Sequence, residues 1–169
     1  RDDEAAQEAV SEVRGHGVRC ELVTGDLTGP TDEAVAAVFE AAGSTGLGID
    51  LLMSNAGTYS EGEFLDMDLT TFDRTMKLNV YSHFFLIQKF ARHWIENGTN
   101  GRVLLTGSIN GRLAEHTHAA YDTSKGAVEM MVKSLAVTLS PHNIRVNGMA
   151  PGLVRTPLTA PALDLPGVT

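Results

Sequence analysis

Tyr121 and Lys125 stand four residues apart, a spacing that on a helix stacks two side chains on one face. A phenol beside an amine is a proton-transfer pair. Alone the phenol titrates near pKa ~10, and an ammonium within about 4–6 Å favours the phenolate, bringing proton exchange toward neutral pH. Upstream, Ser108 follows the apolar run Val103-Leu104-Leu105-Thr106-Gly107, where its hydroxyl can donate to a polarised carbonyl. The pattern Tyr121-Asp122-Thr123-Ser124-Lys125 is by itself common on solvated helices, so its weight comes from what surrounds it.

The elements that must hold these groups alternate. Residues 2–14 carry Ala5, Ala9, Val10 and Val13 at helical intervals, and Gly15-His16-Gly17 ends that helix before a strand-like run at 18–23. Thr31-Asp32-Glu33 caps a helix bearing Val35, Val38 and Phe39, and 43–48 leads into a strand at 49–54. A long helix over 69–95 precedes a strand at 102–106; a helix over 119–139 precedes a strand at 144–149. Such alternation implies an α/β fold, a doubly wound parallel sheet with right-handed crossovers and helices on both faces. Residues 158–169, with Pro161 and Pro166, match no period and read as a loop.

Composition narrows the function. At 169 residues the chain suits one domain, and a net charge of −8 with pI near 5.1 argues against a nucleic-acid or anionic-membrane binder. A small-molecule substrate fits better. No run approaches the ~20 apolar residues of a membrane span, and Arg1-Asp2-Asp3-Glu4 is unlike a signal peptide. The single cysteine, Cys20, sits in an apolar run and reads as core packing, which suits a reducing cytoplasm. His116 and His118, and His83 with His93, lack an accompanying acidic or cysteine cluster, so no metal is expected; His116 and His118 read as substrate-facing or solvated. Phe72, Tyr81, Phe84, Phe85 and Phe90 read as core or subunit contacts.

Further motifs lie in order along the chain: Asn55-Ala56-Gly57 after the apolar run, Lys77-Leu78-Asn79-Val80, the Ser108, Tyr121 and Lys125 set, Ile144-Arg145-Val146-Asn147, and Pro151-Gly152-Leu153-Val154-Arg155-Thr156-Pro157. Together they resemble the short-chain dehydrogenases/reductases of the classical type. The resemblance implies a Rossmann-like fold, a catalytic tetrad of Asn79, Ser108, Tyr121 and Lys125, and NAD or NADP as cofactor. Hydride would pass between nicotinamide and a carbonyl or secondary alcohol while Tyr121 handles the proton and Asn79 holds a water that relays protons to Lys125. Cofactor contacts are implied for Asp26, Leu27, Asn55, Ala56, Gly57, Tyr121, Lys125, Pro151, Gly152, Val154 and Thr156, with Asp26 accepting from the adenine amine. A homo-oligomer, dimer or tetramer, packed through the Asn79 and Tyr121 helices is also implied, as is a lid in the segment after Pro157. Thr123 and the pair Thr106-Gly107 depart from common family residues without touching a catalytic role.

The family's opening strand and glycine-rich turn, which seat the pyrophosphate on a helix N-terminus, have no counterpart in the sequence. Thr24-Gly25-Asp26-Leu27-Thr28-Gly29 has Thr31 where a glycine is required, and the run from Gly43 to Gly48 stands between a helix and a strand, the reverse of the required context. The 169 residues are therefore expected to be a partial Rossmann-like domain, without the family's first two strands and its seventh, and with unpaired edges where the neighbours belong. Two other classes use similar parts: a non-catalytic nucleotide-binding or regulatory module, and an epimerase or dehydratase of the related extended type. The complete Ser108, Tyr121 and Lys125 set argues against the first, and the Pro151 to Pro157 segment favours the shorter dehydrogenase over the second.

Overall fold

The computed structural model describes residues 4–156 and 159–160. Three parallel strands form its sheet in the order β1 (Leu51–Ser54), β2 (Arg102–Thr106), β3 (Arg145–Met149). Leu52 pairs with Val103 across the first ladder, and Val103 with Val146 across the second. Period-2 alternation decides the faces: Val103, Leu105 and Val146 are buried, whereas Leu51 and Met53 on the opposite face of β1 are 53% and 49% exposed.

The buried face is covered by α4 (Ser82–Glu96) and α5 (Ala119–Leu139), and α2 (Thr31–Ser44) packs on α4. Leu86, Ile87, Phe90 and Trp94 of α4 meet Val128, Met131 and Leu139 of α5 and the strand residues in one core. Trp94 is fully buried and its indole N–H donates to the Ile49 carbonyl at 2.6 Å, pinning α4 to the entry of β1. Gly101 makes room for it: a Cβ there would stand 2.2 Å from the indole ring. Gly148 of β3 likewise lets α5 close in, since its Cβ would lie 2.8 Å from a Val132 methyl. α5 ends where Pro141 and the left-handed Asn143 (φ 57°) turn the chain into β3.

Four expectations change. The long helix over 69–95 is α3 (Leu69–Met76), capped by Asp68, then a π turn at Lys77–Tyr81, then α4. Residues 18–23 form no strand: they have no ladder partner among the described residues, and Val18, Leu22 and Val23 are exposed, because an apolar run becomes a strand only beside another strand. Cys20 in that run is accordingly half-buried, not a core residue. Thr31 does not cap α2 but opens it, after Pro30, with no side-chain cap. α1 (Glu4–Gly15) buries Val10, which is not part of the main core. The proposed lid segment lies outside the described residues apart from Thr159 and Ala160, whose N–H groups donate to the Thr156 carbonyl.

Candidate active site

Because all three strands are parallel, their C-terminal ends lie along one edge, and the chemistry-bearing residues gather there. β1 runs into Asn55-Ala56-Gly57, β2 into Ser108, and β3 toward Pro151. Backbone bonds hold these exits together: Gly107 N–H donates to the Met149 carbonyl at 2.8 Å, and Ile109 N–H to that of Pro151 at 3.1 Å. Thr106 reaches sideways, its hydroxyl donating to the Asn55 amide oxygen at 2.8 Å.

α5 presents Tyr121 and Lys125 to this edge. The Lys125 ammonium stands 5.7 Å from the centroid of the Tyr121 ring, so the expected pairing on one helical face is present. Lys125 is only 6% exposed and donates to the Thr106 carbonyl at 3.1 Å. Burial pushes its pKa below the ordinary lysine value. Gly57 faces it: a Cβ there would lie 3.8 Å from Lys125 Nζ and 3.3 Å from Asn79 Oδ1, so the turn leaves bare backbone beside the amine.

Asn79 occupies the π turn and is fully buried. Its Oδ1 accepts from Thr58 N–H at 2.8 Å; its Nδ2 donates to the Thr58 carbonyl and to Ser124 Oγ, each at 2.9 Å. Ser124 in turn donates to the Tyr121 carbonyl at 2.7 Å. The amide thus ties the loop after Gly57 to the helix of Tyr121 and Lys125. A π turn re-aims one residue out of helical register, which is how a polar side chain at the heart of an apolar helix reaches the site.

Ser108 begins a short 3-10 turn, Ile109–Gly111, with its Oγ accepting from Asn110 N–H at 3.1 Å. The buried Asn110 side chain donates to Asp122 Oδ1 at 2.8 Å, and Asp122 Oδ2 accepts from Glu115 N–H at 3.1 Å. Ser108 and the helix of Tyr121 are therefore linked through side chains. Gly111 permits the approach, since its Cβ would come within 3.0 Å of the Lys125 carbonyl.

Sequence reasoning passed over several of these partners. His83, read only as a metal candidate, is 2% exposed and its Nδ1 shares a short hydrogen bond with Ser54 Oγ at the end of β1. Burial, then the Lys125 charge, lowers its pKa to about 4, with the Ala56 carbonyl opposing the shift, so the ring is neutral at pH 7. Tyr59 stands edge-on to Tyr121, ring centroids 5.3 Å apart. Asn110, Asp122 and Ser124 carried no signal beyond lying between named motif residues. Among the described residues no three His, Cys, Asp or Glu side chains form a metal-binding group.

The contacts of the other expected cofactor residues are local. Asp26 accepts from Thr28 N–H at 2.8 Å and from its hydroxyl at 2.6 Å, local bonds that hold the exposed carboxyl below its usual range; Leu27 is half-buried beside it. Gly152, Val154 and Thr156 are exposed, and Thr156 bonds within its own turn, to Thr159.

A protein family described as short chain dehydrogenase matches residues 1–164. The chain is 31% identical over 156 residues to the L-rhamnose 1-dehydrogenase (NAD(P)(+)) of a Sphingomonas species, covering 91% of this chain and 60% of that protein. It is 32% identical over 145 residues to the glucose 1-dehydrogenase of Gluconobacter oxydans, covering 86% of this chain and 54% of that one. Among solved structures, a short-chain type dehydrogenase/reductase from Mycobacterium marinum superposes with TM-score 0.86 at 35% identity, over 97% of this chain and 65% of that one. A gluconate 5-dehydrogenase from Burkholderia cenocepacia, in complex with NADP and tartrate, gives TM-score 0.86 at 27% identity, over 99% and 65%. The chain thus spans about 60% of the length of the first of these relatives.

Proposed function

The chain belongs to the short-chain dehydrogenase family, and from that premise we propose that it is one Rossmann-like oxidoreductase domain that moves hydride between NAD or NADP and a carbonyl or secondary alcohol. The observation that carries the reading is the buried Lys125 ammonium beside the Tyr121 phenol, at the edge where the parallel strands end. An ammonium has three donors, and the Thr106 carbonyl takes one. With Gly57 leaving bare backbone next to it, this corner fits the hydroxyls of a nicotinamide ribose. Asn55, Ala56, Gly57, Lys125 and Pro151 would hold that half of the cofactor, with Gly152, Val154 and Thr156 beyond them; Asp26 and Leu27 would meet the adenine. When bound, the cofactor supplies or accepts the hydride.

The protein's own residues then manage the oxygen. Ser108 donates to the substrate oxygen and polarises the carbonyl. In reduction Tyr121 gives that oxygen its proton; in oxidation it takes the proton from the alcohol. Lys125 stabilises the charge left on the phenol oxygen, and Asn79 holds the loop and helix in register for both. Any water relay toward Lys125 would use the remaining lone pair of Asn79 Oδ1 or the backbone of its π turn.

Exposed Phe84 and Phe85 on α4, with Met130 and Val137 on α5, support a homo-oligomer through these helices, and the lone Cys20 suits a reducing cytoplasmic setting. The test of the chemistry is Tyr121→Phe. Turnover with a panel of secondary alcohols is lost while NADH or NADPH affinity, read by fluorescence titration, stays within a few-fold. Unchanged turnover refutes the proton role.

A further inference from the structure

Two loops close into one wall beside Tyr121. The first follows Gly57 and carries Tyr59 and Glu61; the second precedes α5 and carries Glu115, Thr117 and His118. Gly62 N–H donates to the Thr117 carbonyl at 2.9 Å, and Thr117 Oγ1 to Glu61 Oε1 at 3.3 Å. Thr117 holds φ at 68°, a left-handed conformation unfavourable for a β-branched residue and kept by these bonds. The Tyr59 hydroxyl shares a short hydrogen bond with His118 Nε2, their rings meeting edge-on at 5.0 Å. His118 Nδ1 lies 2.9 Å from the Glu115 carboxylate. Glu115 is fixed from behind by the Asp122 bond to its N–H.

We propose, resting on the oxidoreductase reading above, that Tyr59 and His118 are specificity-determining residues which, with Glu61 and Glu115, select neutral hydroxyl-bearing substrates over carboxylates. Tyr59 is the aromatic neighbour of the phenol that handles the proton, so a substrate oxygen at Tyr121 brings the rest of the molecule against this wall. The Tyr59 hydroxyl, bonded to His118 Nε2 and 3.4 Å from Glu61 Oε2, offers a neutral hydroxyl partner that a substrate hydroxyl can match. Its own ionisation is remote: burial, then Glu61, pushes its pKa up to about 12. The Glu61 carboxylate accepts from the Tyr59 and Thr117 hydroxyls, and the Glu115 carboxylate lies against His118 Nδ1, so the wall carries two carboxylates. A substrate carboxylate placed there meets like charge at short range, whereas an alcohol meets hydrogen-bond acceptors.

The test compares kcat/KM of the intact protein for matched substrates, neutral alditols against aldonates of the same carbon number, with NAD and with NADP. The wild type favours the neutral partner at least tenfold, and the ratio narrows on going from low salt to 0.5 M salt as the repulsion is screened. Glu61→Gln combined with Glu115→Gln cuts the ratio at least fivefold, chiefly through KM for the aldonate, and Tyr59→Phe raises KM for the alditol more than it lowers kcat. Thermal melts check that each variant folds. A wild-type preference for the aldonate, or a ratio indifferent to both salt and the double substitution, overturns the selectivity and leaves the oxidoreductase reading standing. Absence of turnover on every alcohol tried, with cofactor bound, overturns the oxidoreductase reading and this inference with it.

Discussion

Asn79→Ala separates a positioning clamp from a dispensable polar residue. The side chain is fully buried and makes three hydrogen bonds, two of them to the backbone of Thr58. Truncation leaves the Thr58 N–H and carbonyl without those partners in a partly buried site. An unsatisfied group of this kind costs about 1–3 kcal/mol, so the expected loss of stability is about 2–4 kcal/mol, the lower end applying if water enters the space. Ser124 keeps its bond to the Tyr121 carbonyl and adds little to the sum. Asn79→Asp is expected to be worse than alanine, because a carboxylate cannot donate and would face the Thr58 carbonyl in repulsion. Urea unfolding of the three proteins at one pH gives the free energies directly. Asn79→Ala within 0.5 kcal/mol of wild type, or Asn79→Asp more stable than alanine, refutes the clamp.

Gly101→Ala is expected to destabilise by ~3 kcal/mol, since a methyl 2.2 Å from the Trp94 ring forces the indole off its bond to Ile49; tryptophan fluorescence and the melting temperature should change together. His83 should make stability fall with acid. Its folded pKa is about 4 against 6.5 ordinarily, so in that window the unfolded chain binds the extra proton and stability rises with pH, fully present above 6.5. The loss between pH 7.5 and 5 is about 2 kcal/mol, and His83→Gln should remove that part of the slope; an unaltered slope would assign the effect elsewhere.

The placement of the candidate residues was easier to read than its support. Tyr121 and Lys125 are fixed relative to each other by helical geometry alone, and Ser108 by its place at the end of an apolar strand, so residue type and spacing sufficed. Asn79 was legible as a polar residue in an apolar helix, but the π turn was not, because a single i to i+5 turn changes no hydrophobic period. His118 read as substrate-facing or solvated, but its pairing with Tyr59 was not legible, because the bonds that build it span loops far apart in sequence, and loop pairing has no periodic signature.

Val18, Leu22 and Val23 have the composition of a strand, yet their segment has no ladder partner among the described residues and they stay exposed. Strand propensity is a property of fit to a neighbour, so composition predicted that segment wrongly while predicting β1, β2 and β3 well, each of which has one. The tetrad escapes this difficulty because its positions depend on the ladders between β1, β2 and β3 and on α4 and α5, all of which are mutually supported. Asp26 and Leu27 follow the unpaired run, and the Asp26 carboxylate is held locally by Thr28. The nicotinamide half of the proposed site is thus built by strands that pair, while its proposed adenine contacts follow a run that forms no strand.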